Sequence, residues 1–217
     1  MSVRSALRSA LADTYRCSWR LLVVNSALTA AVSVVVLVVS AFPLTLFIAP
    51  LVAGPVAAAL VYCTVKLVRE EEFQLGDALD GLRRFWKRGF ALGGLFGGAL
   101  LFGVLAVSFY ASEQHRVVPL AVLAAYVFAI VCLVLVAAWP LALAGPDASV
   151  KAALREAFLL TLRFPGRLLG FGAALLVVNV LGAVTVLPLL TLTIAYSFLA
   201  AAHLVLPAEP TLEEVSA

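Results

Sequence analysis

The side chains of this sequence able to do chemistry are few and far apart. Glu70, Glu71 and Glu72 stand together, Glu113 and His115 lie two positions apart, and Asn25, Tyr62, Thr64, Tyr126, Asn179, Thr185 and His203 are scattered through apolar stretches. Glu113 and His115 are an acid and a base outside those stretches, but the short segment holding them offers little enclosure from water. The glutamate triplet reads as a solvated turn rather than a metal or substrate site. No phosphate-binding Gly-x-x-x-x-Gly-Lys-Ser/Thr, no His-Glu-x-x-His and no Gly-x-Ser-x-Gly occurs. Cys17, Cys63 and Cys132 are odd in number and lack paired spacing or nearby histidines, which points to packing or a free thiol. The expectation is no enzyme, no metal and no cofactor.

What must position these residues is set by charge-free runs. Residues 21–65, 89–112, 117–146 and 168–208 contain no Asp, Glu, Lys or Arg. A helix needs about 20 apolar residues to cross ~30 Å of hydrocarbon, so the runs divide into two, one, one and two crossings. Composition agrees: 64% of residues are hydrophobic and 12% charged, where soluble proteins carry about 25% charged residues. The fold class is all-α, a polytopic membrane helix bundle. It has six transmembrane spans at roughly 21–41, 43–65, 89–111, 117–144, 167–186 and 188–206, with a short acidic tail at 207–217. A cleavable signal peptide ending near Val39-Ser40-Ala41 is the competing reading of the start, but its apolar run exceeds the 7 to 15 residues of such segments.

Fourteen of the fifteen Lys and Arg fall on one side of this layout. They lie before the first span, between spans two and three, and between spans four and five; Arg116 alone lies opposite. Both termini are therefore expected in the cytoplasm. Trp19, Trp86 and Trp139 fall at the same ends, where indole rings favour the headgroup layer. The basic residues form short clusters rather than one continuous face, which argues against nucleic acid.

The spans pair as three hairpins whose outer turns hold Pro43, Pro119 and Pro188, and the first and last hairpins resemble each other enough to raise an internal parallel repeat. Two cytoplasmic segments between hairpins read as interfacial amphipathic helices. In 74–88, Leu75, Leu79, Leu82 and Phe85/Trp86 form one face, and Arg83, Arg84, Lys87 and Arg88 a polar side; Arg83, Arg84, Trp86, Lys87 and Arg88 are the candidate surface for lipid or a partner. In 148–164, which Asp147 or Ser149 would cap, Val150, Leu154, Ala157, Phe158 and Thr161 share a face, with Lys151, Arg155 and Arg163 off it. Anionic lipid headgroups and a partner subunit are the two occupants these helices fit.

Pro50, Gly54 and Pro55 are expected near the middle of span two, as a kink or a substrate-contacting break. Asn25, Tyr62 and Asn179 complete the candidate contact set, each Asn reading as helix-to-helix glue ahead of a ligand. The missing intramembrane carboxylates lower the case for ion-coupled transport. Gly89, Gly93 and Gly97 form a close-packing stripe serving either a homodimer or contact within the chain.

Trp19-Arg20, Asn25, Pro43, the run Gly54-Pro55-Val56-Ala57-Ala58-Ala59-Leu60, Lys66-Leu-Val-Arg69, then Asp77, Arg84, Phe85 and Trp86 give residues 17–110 their pattern. In these the chain resembles the YesL-like integral membrane proteins of bacteria, a family of unknown function. It departs from them in having Ala and Leu where aromatic residues or Asn often follow the basic turn. Members commonly occur beside carbohydrate uptake systems. The resemblance implies a non-catalytic accessory subunit tied to a carbohydrate ABC transporter permease; a small stand-alone facilitator or exporter is the alternative.

Overall fold

Backbone polar groups inside a bilayer must be satisfied within the chain, and helices do this segment by segment. The computed structural model describes residues 2–42, 45, 49–112, 117–145, 148–184 and 188–206. These form eight α-helices: α1 (Val3–Arg16), α2 (Ser18–Ala41), α3 (Ala49–Glu70), α4 (Leu75–Ala111), α5 (Val118–Leu143), α6 (Val150–Arg163), α7 (Pro165–Val184) and α8 (Pro188–Val205). No strand occurs among the described residues. Five helices are long and apolar enough to cross a membrane, at Trp19–Ala41, Ala49–Glu70, Leu75–Ala111, Val118–Leu143 and Pro165–Gly182. The sixth expected span is α8, whose stretch Thr193–Val205 is a shorter apolar helix.

Large apolar side chains point outward on α2, α4, α5 and α7. Leu37, Phe102, Val122 and Leu176 are each about two-thirds exposed. Water would not tolerate such a belt, and lipid accepts it. The chain is a multi-pass helical membrane protein. Its centre is α8, which touches α1, α2, α3, α5 and α7. Ala195, Leu199, Ala200, Ala201 and Ala202 are fully buried there, small side chains letting neighbouring helices approach.

Prolines start helices in this chain. Pro165 and Pro188 are first residues, and Pro50 and Pro119 second residues, where no backbone N–H is missed. This corrects one expectation, because Pro50 opens α3 instead of breaking it near the middle; Pro119 and Pro188 stand in the first turns of α5 and α8, where spans 117–144 and 188–206 put them. Only Pro55 remains inside α3. Pro43 lies outside the described residues.

A second correction concerns residues 74–88. They are not a separate surface helix but the start of α4, 37 residues without interruption and about 55 Å long at 1.5 Å per residue. Its start is capped by Gln74 N–H donating to Asp77 Oδ2 at 2.6 Å. Nothing between Leu75 and Ala111 supplies another stop, because glycines weaken a helix without ending it and no proline intervenes. The buried face is rotated from the expected one: Gly81, Phe85 and Gly89 face inward, while Leu75 and Leu79 are exposed. On α6, Ser149 is the cap, its Oγ accepting from Ala152 N–H at 3.1 Å. There Ala153, Ala157 and Thr161 are buried, and Phe158, expected beside them, points out.

Sequence reading missed α1. Ser2 and Ser5 cap it reciprocally, Ser5 N–H donating to Ser2 Oγ at 3.2 Å and Ser2 N–H to Ser5 Oγ at 3.0 Å. Ala6 and Ala10 are fully buried. That Ser-x-x-Ser start, followed by Ala6, Leu7 and Ala10 at helical spacing, was the available signal.

Candidate functional site

Three places gather the residues singled out above. The first is the glycine stripe. A Cβ on Gly54 would collide with the Gly89 carbonyl oxygen and come 3.0 Å from Gly93 Cα. One on Gly89 would lie 2.8 Å from the Gly54 oxygen, Pro55 Cα and Ala58 Cβ. One on Gly97 would overlap the Pro50 ring. The stripe of α4 is thus consumed by the Pro50–Gly54–Pro55 ridge of α3, backbone against backbone. Of the two uses open to Gly89, Gly93 and Gly97, the structure shows packing within the chain, and it places Gly54 and Pro55 against protein. Pro50 also borders an apolar groove with Leu51, Gly94 and Gly98.

The second place is the basic end of α3, α4 and α5. Lys66 Nζ lies 2.8 Å from Asp77 Oδ1 and 3.5 Å from Glu70 Oε2. Arg88 Nη1 donates to the carbonyls of Ala142 at 3.0 Å and Gly145 at 2.8 Å, and Arg69 Nη1 donates to that of Ala144. The last carbonyls of a helix have no partner along the chain. Two arginines from neighbouring helices supply partners here and complement the negative end of the α5 dipole. Arg88 is half-buried, its guanidinium 5.1 Å from the Phe85 ring centre. It does not share the exposed strip of Arg83, Arg84, Trp86 and Lys87. In that strip Arg84 lies over Phe85 at 5.6 Å and Lys87 over Trp86 at 5.6 Å. Tyr62 packs against Phe85 with ring centres 5.2 Å apart, in space left by Gly81.

The third place ties α1 to α8 and to the α3–α4 turn. Tyr196 Oη donates to the Leu7 carbonyl at 3.2 Å, and His203 Nε2 lies 2.8 Å from Asp13 Oδ2. Six residues on α1 match seven on α8, so the two helices run side by side in the same direction. Arg16 Nη2 donates to the Glu71 carbonyl at 2.8 Å and Arg20 Nη1 to that of Phe73 at 2.7 Å. They hold a turn in which Glu71 adopts φ 60°, a conformation uncommon outside glycine. Nothing in the sequence links Asp13 to His203 across 190 positions. Replacing His203 by Ala is expected to speed amide exchange over residues 3–16 by roughly 10-fold, for a lost bond of about 1 to 2 kcal/mol. The spans should exchange as before. Unchanged exchange in α1 would show that apolar contact alone holds it.

Asn25 is fully buried on α2. Asn179 Nδ2 donates to the Leu175 carbonyl at 2.8 Å and to Ser197 Oγ at 3.0 Å, linking α7 to α8. Cys17 and Cys63 are buried thiols and Cys132 is half-buried. Glu113, His115 and Thr185 lie outside the described residues. Among the described residues, no cluster of His, Cys, Asp or Glu is arranged to hold a metal ion. Asp13, Glu70, Glu71 and Asp77 each face an arginine or lysine, so the polar groups at the basic end tie the structure together. No family model matches this chain, and no curated protein or solved structure matches it.

Proposed function

We propose that this protein is a non-catalytic accessory subunit of a bacterial plasma membrane with both termini cytoplasmic. It crosses the membrane six times, with α8 as the sixth span, and associates with the permease of a carbohydrate ABC transporter. The observation that carries this reading is the strip Arg83, Arg84, Trp86 and Lys87. It stays exposed while the neighbouring Arg88 and glycines are used inside the chain. An exposed aromatic side chain among guanidinium and ammonium groups is the composition of a recognition surface. The packed ridge at Gly54 and Pro55 supports an accessory role over a carrier, since that segment contacts backbone rather than a solute path. The carbohydrate assignment rests on the resemblance over residues 17–110 alone.

Affinity purification from the native membrane in mild detergent tests it. Permease subunits at near-stoichiometric yield are the expected result. Recovery of the protein alone or as a homodimer contradicts the accessory role, and solute flux in liposomes holding only this protein would replace it with the facilitator.

A further inference from the structure

We infer that the cavity where α3, α4 and α5 meet at the basic end holds the phosphate group of an anionic membrane lipid. The inference needs the membrane location but not the transporter partner. The cavity measures about 120 Å³, well below the roughly 300 Å³ of a pocket that encloses a whole small molecule. Three helices turn from apolar to charged around it. On α3 the charge-free run ends at Val65 and Lys66 follows; on α4 Arg84 and Arg88 precede the run that starts at Gly89; on α5 the run passes Gly145 and stops before Asp147. Val65, Lys66, Arg84 and Gly145 all line the cavity, so the three transitions converge on one place at the edge of the hydrocarbon.

Charge selects the occupant. Lys66, Arg69 and Arg84 line the cavity, with Glu70 as the one acid beside them. Lys66 is already met by Asp77 at 2.8 Å and by Glu70 at 3.5 Å. Arg69 donates from Nη1 to the Ala144 carbonyl, and the Arg84 guanidinium lies 5.6 Å from the Phe85 ring centre. Among the described residues neither arginine forms an ion pair. Two guanidinium groups from different helices thus face one small cavity with N–H groups that no carboxylate takes up, and their geometry matches phosphate oxygens. The end of α5 does not oppose an anion there, because Arg69 and Arg88 already donate to its carbonyls at Ala142, Ala144 and Gly145. Val65, Phe85 and Leu143 supply an apolar wall for the carbons next to the phosphate. A basic cavity between spanning helices at their charged end is the kind of place that takes a lipid headgroup.

Native mass spectrometry of the full chain in detergent tests the site, titrating phosphatidylglycerol or phosphatidylcholine and counting bound lipid. Phosphatidylglycerol is expected to bind more tightly, since the choline cation would meet the two arginines. Each arginine near an anionic lipid contributes a factor of about 5, so Arg84→Gln should weaken phosphatidylglycerol binding about 5-fold. Arg84 is exposed and makes no ion pair, so this variant should melt like the parent. Arg155→Gln removes the same charge from an exposed position on α6 outside the cavity and should bind lipid as the parent does. Equal binding of the two lipids, or equal loss in the two variants, overturns the inference. Millimolar inorganic phosphate, compared with chloride at equal ionic strength, should not displace the lipid; displacement would assign the cavity to free phosphate and overturn the lipid source.

Discussion

Gly54→Ala is expected to lower the melting temperature of the detergent-solubilised protein by about 6 to 12 °C. The added methyl would meet the Gly89 carbonyl oxygen and Gly93 Cα. Overfilling a packed core costs about 1 to 3 kcal/mol when side chains can repack, and more when they cannot. Here the obstacle is backbone, so α3 and α4 must separate along the contact, which includes Gly93, where an added Cβ would lie 2.7 Å from Gly54 Cα. A loss of about 3 kcal/mol shifts a domain of this size by the stated amount at 2 to 4 °C per kcal/mol. Gly98→Ala on the same helix is the control, because nothing lies within 4 Å of its new methyl. Equal melting of the two variants would refute the packing argument. A change in oligomeric state without a change in melting would move the stripe to a dimer interface.

The layout of the bundle was legible because bilayer thickness imposes a length on every crossing. A charge-free run reports burial in lipid without any knowledge of neighbours. What lies outside the lipid carries no such ruler. The break expected near Gly89 failed because periodicity changes there from one-sided to all-round apolar while the backbone meets no stop signal. Helix α1 was passed over because fourteen residues rich in Ser, Ala and Arg form a marginal helix alone. It is fixed by burying Ala6 and Ala10, by Tyr196 and by His203, all long-range contacts. The glycine stripe is readable as close packing, but its partner is not, since Gly54 and Pro55 read in the sequence as a kink or a break. Arg88 held a signal that was overlooked. It follows Phe85 by three positions and precedes Leu92 by four, both buried, so helical geometry turns it inward away from Arg83 and Lys87, with Arg84, four positions before it, at the border.

That inward turn divides the basic cluster into two kinds of residue, and substitution should separate them. Arg88→Met is expected to destabilise the protein by about 2 to 3 kcal/mol, since it strands two carbonyls at the end of α5 and removes charged hydrogen bonds. Arg88→Lys should recover part of the loss, because both bonds come from the one nitrogen Nη1 and an ammonium also carries N–H groups enough for two carbonyls. Arg83→Glu, Arg84→Glu and Lys87→Glu combined should leave thermal unfolding within about 1 kcal/mol of the parent, as exposed charges contribute little to stability. Under the accessory role proposed above, the same triple reversal should abolish recovery of the permease, since the reversed strip would meet like charges across that interface. The paired readout, melting temperature against co-purification, makes the division refutable from either side. If Arg88→Met melts like the parent, its guanidinium does not hold α5. If the triple reversal keeps its partner, the strip is not the docking surface, and the stretch of α6 with exposed Phe158, Leu159 and Leu162 becomes the next face to substitute.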